Sequence, residues 1–312
     1  ALASAASVLG PDRVGLVSNR PGVTAITIDN PQLQVRQPNI LFILADDLGW
    51  ADLGVQGSSS YRTPALDRLA SQGIRFTHAY AAAANCAPTR ATLMTGQSIA
   101  VHGMYTVGSG KRGKAANRTM EPPANVTEIP GEVVTLAESL QSAGYRTGHF
   151  GKWHLGQAEG PAGPLAQGFE VNIGGYQVGH PPTYFWPYHK KSQDGTISQQ
   201  LPGLEEGRDG EYLTDRLTSE ALSFLRADDG RPWFLYLPHY AVHTPIQAPD
   251  AQVAAVNKRG LEGRQVDAKY TAMVQNLDQN CGRLLNWLED HDQLENTIVI
   301  FTSDNGGFGG YL

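Results

Sequence analysis

The cysteine at position 86 begins a segment whose residue types and spacing suit chemistry on an anion. Residues 86–96 read CAPTRATLMTG, and Pro88 suits the first turn of a helix, where its missing N–H is not needed. We therefore predict a helix from Cys86 toward Gly96, with the thiol at an N-terminus whose dipole and free N–H groups favour negative charge. Arg90, four residues on, lies on the same face. The spacing also suits a small buried cysteine beside an ordinary helix, and both interpretations stay open.

Two acidic pairs predict a metal site. Asp46 and Asp47 directly follow one apolar run of strand length, and a second such run is directly followed by Ser303 and then by Asp304 and Asn305. Three carboxylates and one amide oxygen form an all-oxygen donor set, which favours Ca²⁺ over Zn²⁺ and admits Mg²⁺ as a second choice. If the two runs are neighbouring strands, we expect both pairs to converge on one cation, with oxygen contacts of about 2.3–2.6 Å.

Basic and imidazole side chains follow two further apolar runs. Lys152 and His154 come after one of them, and His239 and His243 come after the other. A single polar group at such a place is often a helix cap or a turn residue. Four runs that all end in groups able to bind a metal or an anion indicate one shared site.

The elements that must position these groups are strands and helices in alternation. The four apolar runs are Asn39–Ala45, 145–150, 233–237 and 297–302. Continuous apolar runs suit strands that are buried on both faces of a parallel sheet. Segments with helical spacing of apolar residues lie between them, at 66–70, 134–143, 213–225 and 266–290. We predict an α/β fold with a mostly parallel central sheet and helices on both faces, and a site beyond the carboxyl ends of the strands.

Composition excludes some classes of protein and leaves most open. The chain has 312 residues, of which 41% are hydrophobic, enough for a large core. A net charge of −6 gives no support for a nucleic-acid partner. No apolar run approaches the roughly 20 residues that span a bilayer. Two cysteines provide no disulfide framework.

The chain is expected to consist of two parts. Residues 1–37 form a polar N-terminal arm, in which the alternating stretch 23–28 suggests an edge strand, and residues 38–312 form the catalytic domain. The first eight residues, ALASAASV, suit a segment that follows a removed signal peptide. On that ground alone we predict a periplasmic or secreted location. Two long loops are expected at 103–132 and 156–208.

These motifs together resemble the type I sulfatases of the alkaline phosphatase superfamily, and the chain looks arylsulfatase-like. The signature of that family is Cys-x-Pro-x-Arg followed closely by Thr-Gly, and it is filled here by Cys86, Pro88, Arg90, Thr95 and Gly96. A second family element resembles residues 151–156, GKWHLG, and a later His-x-Pro element resembles residues 243–245. The two acidic pairs look like the metal ligands of the family. The resemblance extends over residues 39–307, with all elements in family order.

The resemblance implies a mechanism. A separate formylglycine-generating enzyme would oxidise Cys86 to formylglycine, whose hydrate attacks sulfur and also contacts the metal ion. Arg90 would hold that hydrate, and Lys152 would bridge it to a sulfate oxygen. His154 would take a proton so that sulfate leaves, and His243 would hydrogen-bond the departing oxygen. We expect Lys152→Ala to impair catalysis far more than stability, because a lysine at a strand end contributes little to a core.

The function implied is that of a sulfuric ester hydrolase, a sulfatase that releases inorganic sulfate from an organic sulfate. The aromatic segment 184–188, YFWPY, lies among cations and suits either stacking on a sugar ring or packing on its own domain. A sulfated glycan is the substrate class that we favour. Two alternatives stay open: a phosphodiesterase or phosphonate hydrolase of the same superfamily, and an inactive sulfatase fragment that only binds anionic ligands.

One family feature is not found in the chain. Family members carry a second lysine downstream of the Asp-Asn-Gly element, followed by a smaller C-terminal subdomain. This sequence ends at Leu312, seven residues after Asn305. We therefore expect that the C-terminal subdomain is missing and that the chain is truncated.

Overall fold

The computed structural model describes residues 6–8, 13–16, 26–29, 37–111, 113–260 and 267–307. The chain divides into two units, Ala1–Pro38 and Asn39–Leu312. In the first unit, three strands form an antiparallel sheet: β1 (Ala6–Val8), β2 (Arg13–Leu16) and β3 (Ile26–Asp29). The stretch 23–28 was predicted to supply a single edge strand. β3 covers the described part of that stretch and pairs with β2, in a small sheet that belongs to the first unit.

A five-stranded parallel sheet is the centre of the second unit. Its strands are β4 (Asn39–Ala45), β5 (Arg146–Phe150), β6 (Val171–Ile173) and, after a separate hairpin of β7 (His189–Lys191) and β8 (Ile197–Gln200), β9 (Trp233–Pro238) and β10 (Thr297–Ser303). The strand order is β10-β4-β9-β5-β6, and each neighbouring pair is parallel. The predicted mostly parallel sheet is confirmed, and its four apolar runs correspond to β4, β5, β9 and β10.

Helices cover both faces of this sheet, as predicted. They are α1 (Pro64–Gln72), α2 (Cys86–Thr95), α3 (Ile99–His102), α4 (Leu136–Ser142), α5 (Leu213–Arg226), α6 (Asp250–Arg259) and α7 (Ala268–Asp290). Leu41 and Ile43 of β4 pack in one cluster with α5 and α7, whereas Phe42 and Leu44 pack in another with α2 and α4. Successive side chains of a strand point to opposite faces, so these helix pairs cover opposite sides. Within the described residues, no helix has the length and apolar character needed to cross a membrane.

The two predicted long loops differ from each other. In its described part, the stretch 103–132 holds one short 3₁₀ turn, Ala115–Asn117. The stretch 156–208 holds β6 and the β7–β8 hairpin, so the prediction of a loop is wrong there. These strands have three or four residues and no continuously buried run, so they lack the apolar pattern that revealed the others.

The aromatic segment 184–188 packs on its own domain. Tyr184 and Tyr188 are fully buried, and Phe185 and Trp186 pack against the same hydrophobic cluster. The Tyr184 hydroxyl lies 2.6 Å from the Tyr240 carbonyl oxygen, to which it donates a hydrogen bond. Of the two interpretations of this segment, the structure therefore supports packing, and stacking on a sugar loses its basis.

The residue that joins β5 to the polar loop beyond it is a glycine in close contact with β9. Gly151 has φ +132°, and a Cβ added there would lie 2.0 Å from the Pro238 carbonyl oxygen. The same oxygen accepts a hydrogen bond from the Lys152 backbone N–H at 2.7 Å. A side chain at position 151 would therefore push β5 and β9 apart where they present their polar residues.

We expect Gly151→Ala to reduce the free energy of unfolding by about 3 kcal/mol, since left-handed strain of about 1–2 kcal/mol adds to overpacking of about 1–3 kcal/mol. Gly57→Ala is the matched control, because Gly57 also has a positive φ (+97°) but nothing within 4 Å of an added Cβ. Urea denaturation of both variants measures the difference. Equal losses of unfolding free energy in the two variants would show that β5 and β9 accommodate the added Cβ at no extra cost.

Candidate active site

The two acidic pairs meet at the carboxyl ends of β4 and β10. The register of these strands places Ser303 opposite Ala45, so the residues that follow leave the sheet side by side. The Asp47 backbone N–H donates to Asp304 Oδ1 at 3.3 Å, and Asn305 Nδ2 donates to Asp47 Oδ1 at 2.6 Å. The structure therefore brings together all four residues that the sequence suggested as metal ligands.

Two buried cations each pair with one of these carboxylates. Lys152 Nζ lies 2.6 Å from Asp46 Oδ2, and Arg90 Nε donates to Asp304 Oδ2 at 2.9 Å. Arg90 Nη1 also donates to the Lys152 carbonyl oxygen at 2.8 Å, which links the two cations to one another. None of the four side chains is more than 1% exposed. Each cation thus compensates a carboxylate that water cannot reach.

The compensation is uneven between the two aspartates. Burial raises the pKa of Asp46 well above its ordinary value, although Lys152 opposes this. Burial also acts on Asp304, but the charges of Arg90 and Lys152 outweigh it and lower the pKa of that carboxyl. A further positive charge beside Asp46 would remove this imbalance.

The unpaired oxygens of the site fit a hard cation. Within the described residues, Asp46 Oδ1 and Asn305 Oδ1 are buried without a hydrogen-bond partner. Single ligand atoms of Asp46, Asp47, Cys86 and His243 lie within 4.8 Å of one another. A buried polar atom without a partner costs about 1–3 kcal/mol, and carboxylate and amide oxygens are the ligands that Ca²⁺ prefers. Asp304 is not in that group, and the calcium fit therefore rests on the oxygen donors of the two acidic pairs rather than on a completed shell.

Cys86 is buried at the first residue of α2, where the sequence placed it. Asn85 does not cap the helix with its side chain and instead donates to Thr106 Oγ1 at 3.1 Å. Burial raises the pKa of the Cys86 thiol to about 12, and the charge of Asp46 acts in the same direction. Burial and the charges of Asp46 and Asp304 thus oppose a thiolate, although the charges of Lys152 and Arg90 favour one. At neutral pH the thiol keeps its proton, and a protonated thiol is a weak nucleophile.

The two candidate proton carriers are both electrically neutral. Burial lowers the pKa of His154 to about 2, with Lys152 and Arg90 adding to the effect, and its Nδ1 is buried without a partner among the described residues. Burial also lowers the pKa of His243, whose Nε2 lies 3.5 Å from Asp47 Oδ2. A pKa of about 2 keeps this imidazole of His154 unprotonated at neutral pH but also makes it a weak base, so burial opposes the role of proton acceptor expected of His154.

Residues outside the predicted set hold the site in place. Asp52 Oδ2 accepts hydrogen bonds from the Gly49 backbone N–H at 3.0 Å and from the Tyr270 hydroxyl at 2.6 Å, and so ties the loop after β4 to α7. The ring of His180 stacks on His243 at 6.3 Å between centroids. The short spacing from Gly49 to Asp52 is a turn signal in the sequence, but no sequence pattern connects Tyr270 or His180 to the site.

Comparison with known proteins assigns the chain to a family. The sequence model of the family described as Sulfatase matches residues 38–310. A protein named Sulfatase from Formosa agariphila is 36% identical over 88% of this chain. The N-acetylgalactosamine-6-sulfatase of Canis lupus familiaris is 34% identical over 94% of it. A crystal structure described as Ps i-CgsB in complex with k-i-k-neocarrahexaose matches 88% of the chain with a TM-score of 0.71 and 31% identity.

The chain spans little more than half the length of these relatives. The matched regions cover 59% of the Formosa protein, 54% of the canine protein and 60% of the crystallised chain.

The full burial of Lys152 corrects one expectation from the sequence. A lysine at a strand end was expected to matter little for stability, but Lys152 is completely buried against Asp46. We expect Lys152→Met to lower the free energy of unfolding by about 3 kcal/mol, since it leaves a buried carboxylate without its partner. The exposed Lys258 on α6 provides the control, Lys258→Met. Chemical denaturation that finds the two variants equally stable would contradict the buried ion pair.

Proposed function

This chain belongs to the sulfatase family, and from that premise we propose that it is the catalytic part of a sulfuric ester hydrolase. The reaction proposed is the hydrolysis of an organic sulfate to an alcohol and inorganic sulfate. One observation carries the proposal: the residue that fills the nucleophile position of the family is buried within 4.8 Å of metal-ligand atoms from the first acidic pair. The match of the family to residues 38–310 supports residues 38–312 as the catalytic domain.

A sulfated glycan is the substrate class that we propose. The support comes from the relatives, since the canine protein is named N-acetylgalactosamine-6-sulfatase and a Bacteroides thetaiotaomicron relative is named N-acetylgalactosamine-6-O-sulfatase. The crystallised chain is described as a complex with k-i-k-neocarrahexaose. N-acetylgalactosamine 6-sulfate is therefore the first substrate to test.

The residues of this chain have distinct proposed roles. Asp46, Asp47, Asp304 and Asn305 would hold Ca²⁺, with the side chain of residue 86 as a further contact. A calcium ion there would offset the charge of the sulfate oxygens and lower the pKa of an attacking oxygen. Arg90 and Lys152 provide fixed positive charge beside Asp304 and Asp46, which suits charge that develops in the transition state.

The protonated thiol supports an oxygen nucleophile at position 86. With a pKa of about 12, Cys86 holds its proton at neutral pH and is poorly suited to attack. We propose that a formylglycine-generating enzyme converts Cys86 to formylglycine, whose hydrate supplies the attacking hydroxyl. His154 would take the proton from the remaining hydroxyl of this side chain, so that the aldehyde reforms and sulfate leaves. His243 would protonate or hydrogen-bond the departing oxygen of the alcohol.

Two other functions remain as alternatives to hydrolysis of a sulfate ester. A phosphodiesterase or phosphonate hydrolase of the same superfamily would use a similar centre, and paired rates on an aryl sulfate and an aryl phosphate diester separate the two. A chain that only binds anionic ligands would release no sulfate under any condition. The periplasmic or secreted location stays a prediction from the sequence.

Calcium binding can be measured without any substrate. We expect calorimetric titration of metal-free protein to show one Ca²⁺ site, and Ca²⁺ at about 100 times its Kd to stabilise the fold by about 2.7 kcal/mol. Asn305→Ala removes one oxygen ligand and should weaken binding at least about tenfold. Asn257→Ala, at an exposed position on α6, is the control. Equal affinity of both variants would remove Asn305 from the ligand set.

Conversion of Cys86 can be followed by mass spectrometry. Coexpression with an aerobic formylglycine-generating enzyme should give a fraction of the peptide around residue 86 with the mass of an aldehyde in place of a thiol. Cys281, buried in α7 and outside the signature, is an internal control that should stay a thiol. Sulfate release should follow the converted fraction. Full activity from protein whose residue 86 is demonstrably cysteine would exclude this mechanism.

A further inference from the structure

A cavity of about 240 Å³ lies beside the proposed reacting group. Ala87, the chain neighbour of Cys86, and His154, the proposed proton acceptor, both line it, so the cavity lies next to two of the segments that form the proposed active site. The volume is below the roughly 300–1,000 Å³ of clefts that hold drug-sized ligands. The cavity therefore suits a single sugar ring better than an oligosaccharide.

One wall of the cavity is held by an asparagine that uses both ends of its amide. Asn125 Oδ1 accepts from the backbone N–H groups of Tyr105 at 2.9 Å and Thr106 at 3.2 Å. Its Nδ2 donates to the carbonyl oxygens of Thr106 at 2.8 Å and Gly108 at 2.7 Å. Thr106 and Gly108 line the cavity. This wall is thus fixed by side-chain hydrogen bonds, although it contains no regular helix or strand.

A second wall carries Glu128, which is the only charged group other than an imidazole among the described residues that line the cavity. The next residue, Ile129, is buried, and its backbone N–H donates to the Leu155 carbonyl oxygen at 2.9 Å. Leu155 directly follows His154, the proposed proton acceptor. The backbone next to Glu128 is therefore hydrogen-bonded to the segment that carries His154.

The side chains that line the cavity suit a ring with neutral polar substituents. Thr106, Thr127 and Gln177 provide hydroxyl and amide groups that can donate and accept hydrogen bonds. No lysine or arginine is among the described lining residues, and Glu128 contributes negative charge. The buried cations Arg90 and Lys152 are engaged with carboxylates, so the described lining offers no cation for a second anionic group.

Resting on the proposed function, we infer that this cavity is a monosaccharide subsite in which Glu128 selects a ring with one sulfate and neutral remaining substituents. A second sulfate or a carboxylate on that ring would be placed beside Glu128 without a compensating cation. Such like-charge repulsion gives specificity by weakening the binding of the ring with a second anionic group, and not by strengthening the binding of the singly sulfated ring. Glu128 is exposed, so solvent screens the repulsion and limits the discrimination.

The test compares two substrates that differ by one sulfate. The kcat/KM values of N-acetylgalactosamine 6-sulfate and N-acetylgalactosamine 4,6-disulfate are measured for the whole chain with residue 86 converted. In Glu128→Gln, the ratio of the disulfated to the singly sulfated value should rise about tenfold, the effect of removing one partly screened repulsion. Glu132→Gln, the same change at an exposed position four residues on that does not line the cavity, should leave the ratio unchanged.

Binding separates failure of this inference from failure of the proposed function. Calorimetry with both sugars on Cys86→Ala protein, alone and combined with Glu128→Gln, gives the ratio of Kd values without any turnover. A chain that hydrolyses neither sugar but shows the tenfold change in that ratio keeps the subsite and loses the proposed hydrolysis. An unchanged ratio in both measurements, a parallel loss for both sugars, or no binding of either sugar would overturn the inference.

Discussion

Three carboxylates leave the sheet at one place because β4 and β10 are adjacent, parallel and in register. Two of these groups, Asp46 and Asp304, are completely buried, and isolated buried carboxylates are very costly. Arg90 and Lys152 are buried with them and supply the compensating positive charge. The compensation stays incomplete, since the pKa of Asp46 is raised and two oxygens have no donor among the described residues. The donor set of such a centre suits a divalent cation.

The same burial decides which groups near the centre carry charge. It raises the pKa of the Cys86 thiol and lowers the pKa of His154 and His243, so all three are neutral near pH 7. The ion pairs of Arg90 and Lys152 thus carry charge, whereas the residues that would transfer protons are uncharged. An uncharged histidine can accept a proton, but a protonated thiol buried next to a carboxylate is a poor nucleophile. This division supports the proposal that the side chain at position 86 is modified before it reacts.

The cavity beside this centre is stabilised by a different kind of contact. Apart from Ala87 on α2, its lining residues lie in stretches without regular secondary structure, and one wall is held by side-chain hydrogen bonds of Asn125 to Thr106 and Gly108. The ionic centre depends on the sheet, and a change there would disturb the fold. The cavity depends on loops, which tolerate substitution more readily. The proposed ring contacts therefore lie mostly on loops, whereas the groups proposed to act on sulfate follow strands of the sheet.

The sequence alone determined four of the five strands of the central sheet, five of the seven described α-helices and the placement of the ionic groups after the strands. Continuous apolar runs such as Asn39–Ala45 identify strands buried on both faces, and the parallel arrangement places the residues after each run at one edge. The short strands within 156–208, the inward packing of Tyr184 and the full burial of Lys152 could not be predicted. Each depends on contacts between residues far apart in the chain, for which local periodicity carries no signal. Tertiary structure also decided the protonation state of Cys86, because burial, which no spacing reveals, raises the pKa of its thiol.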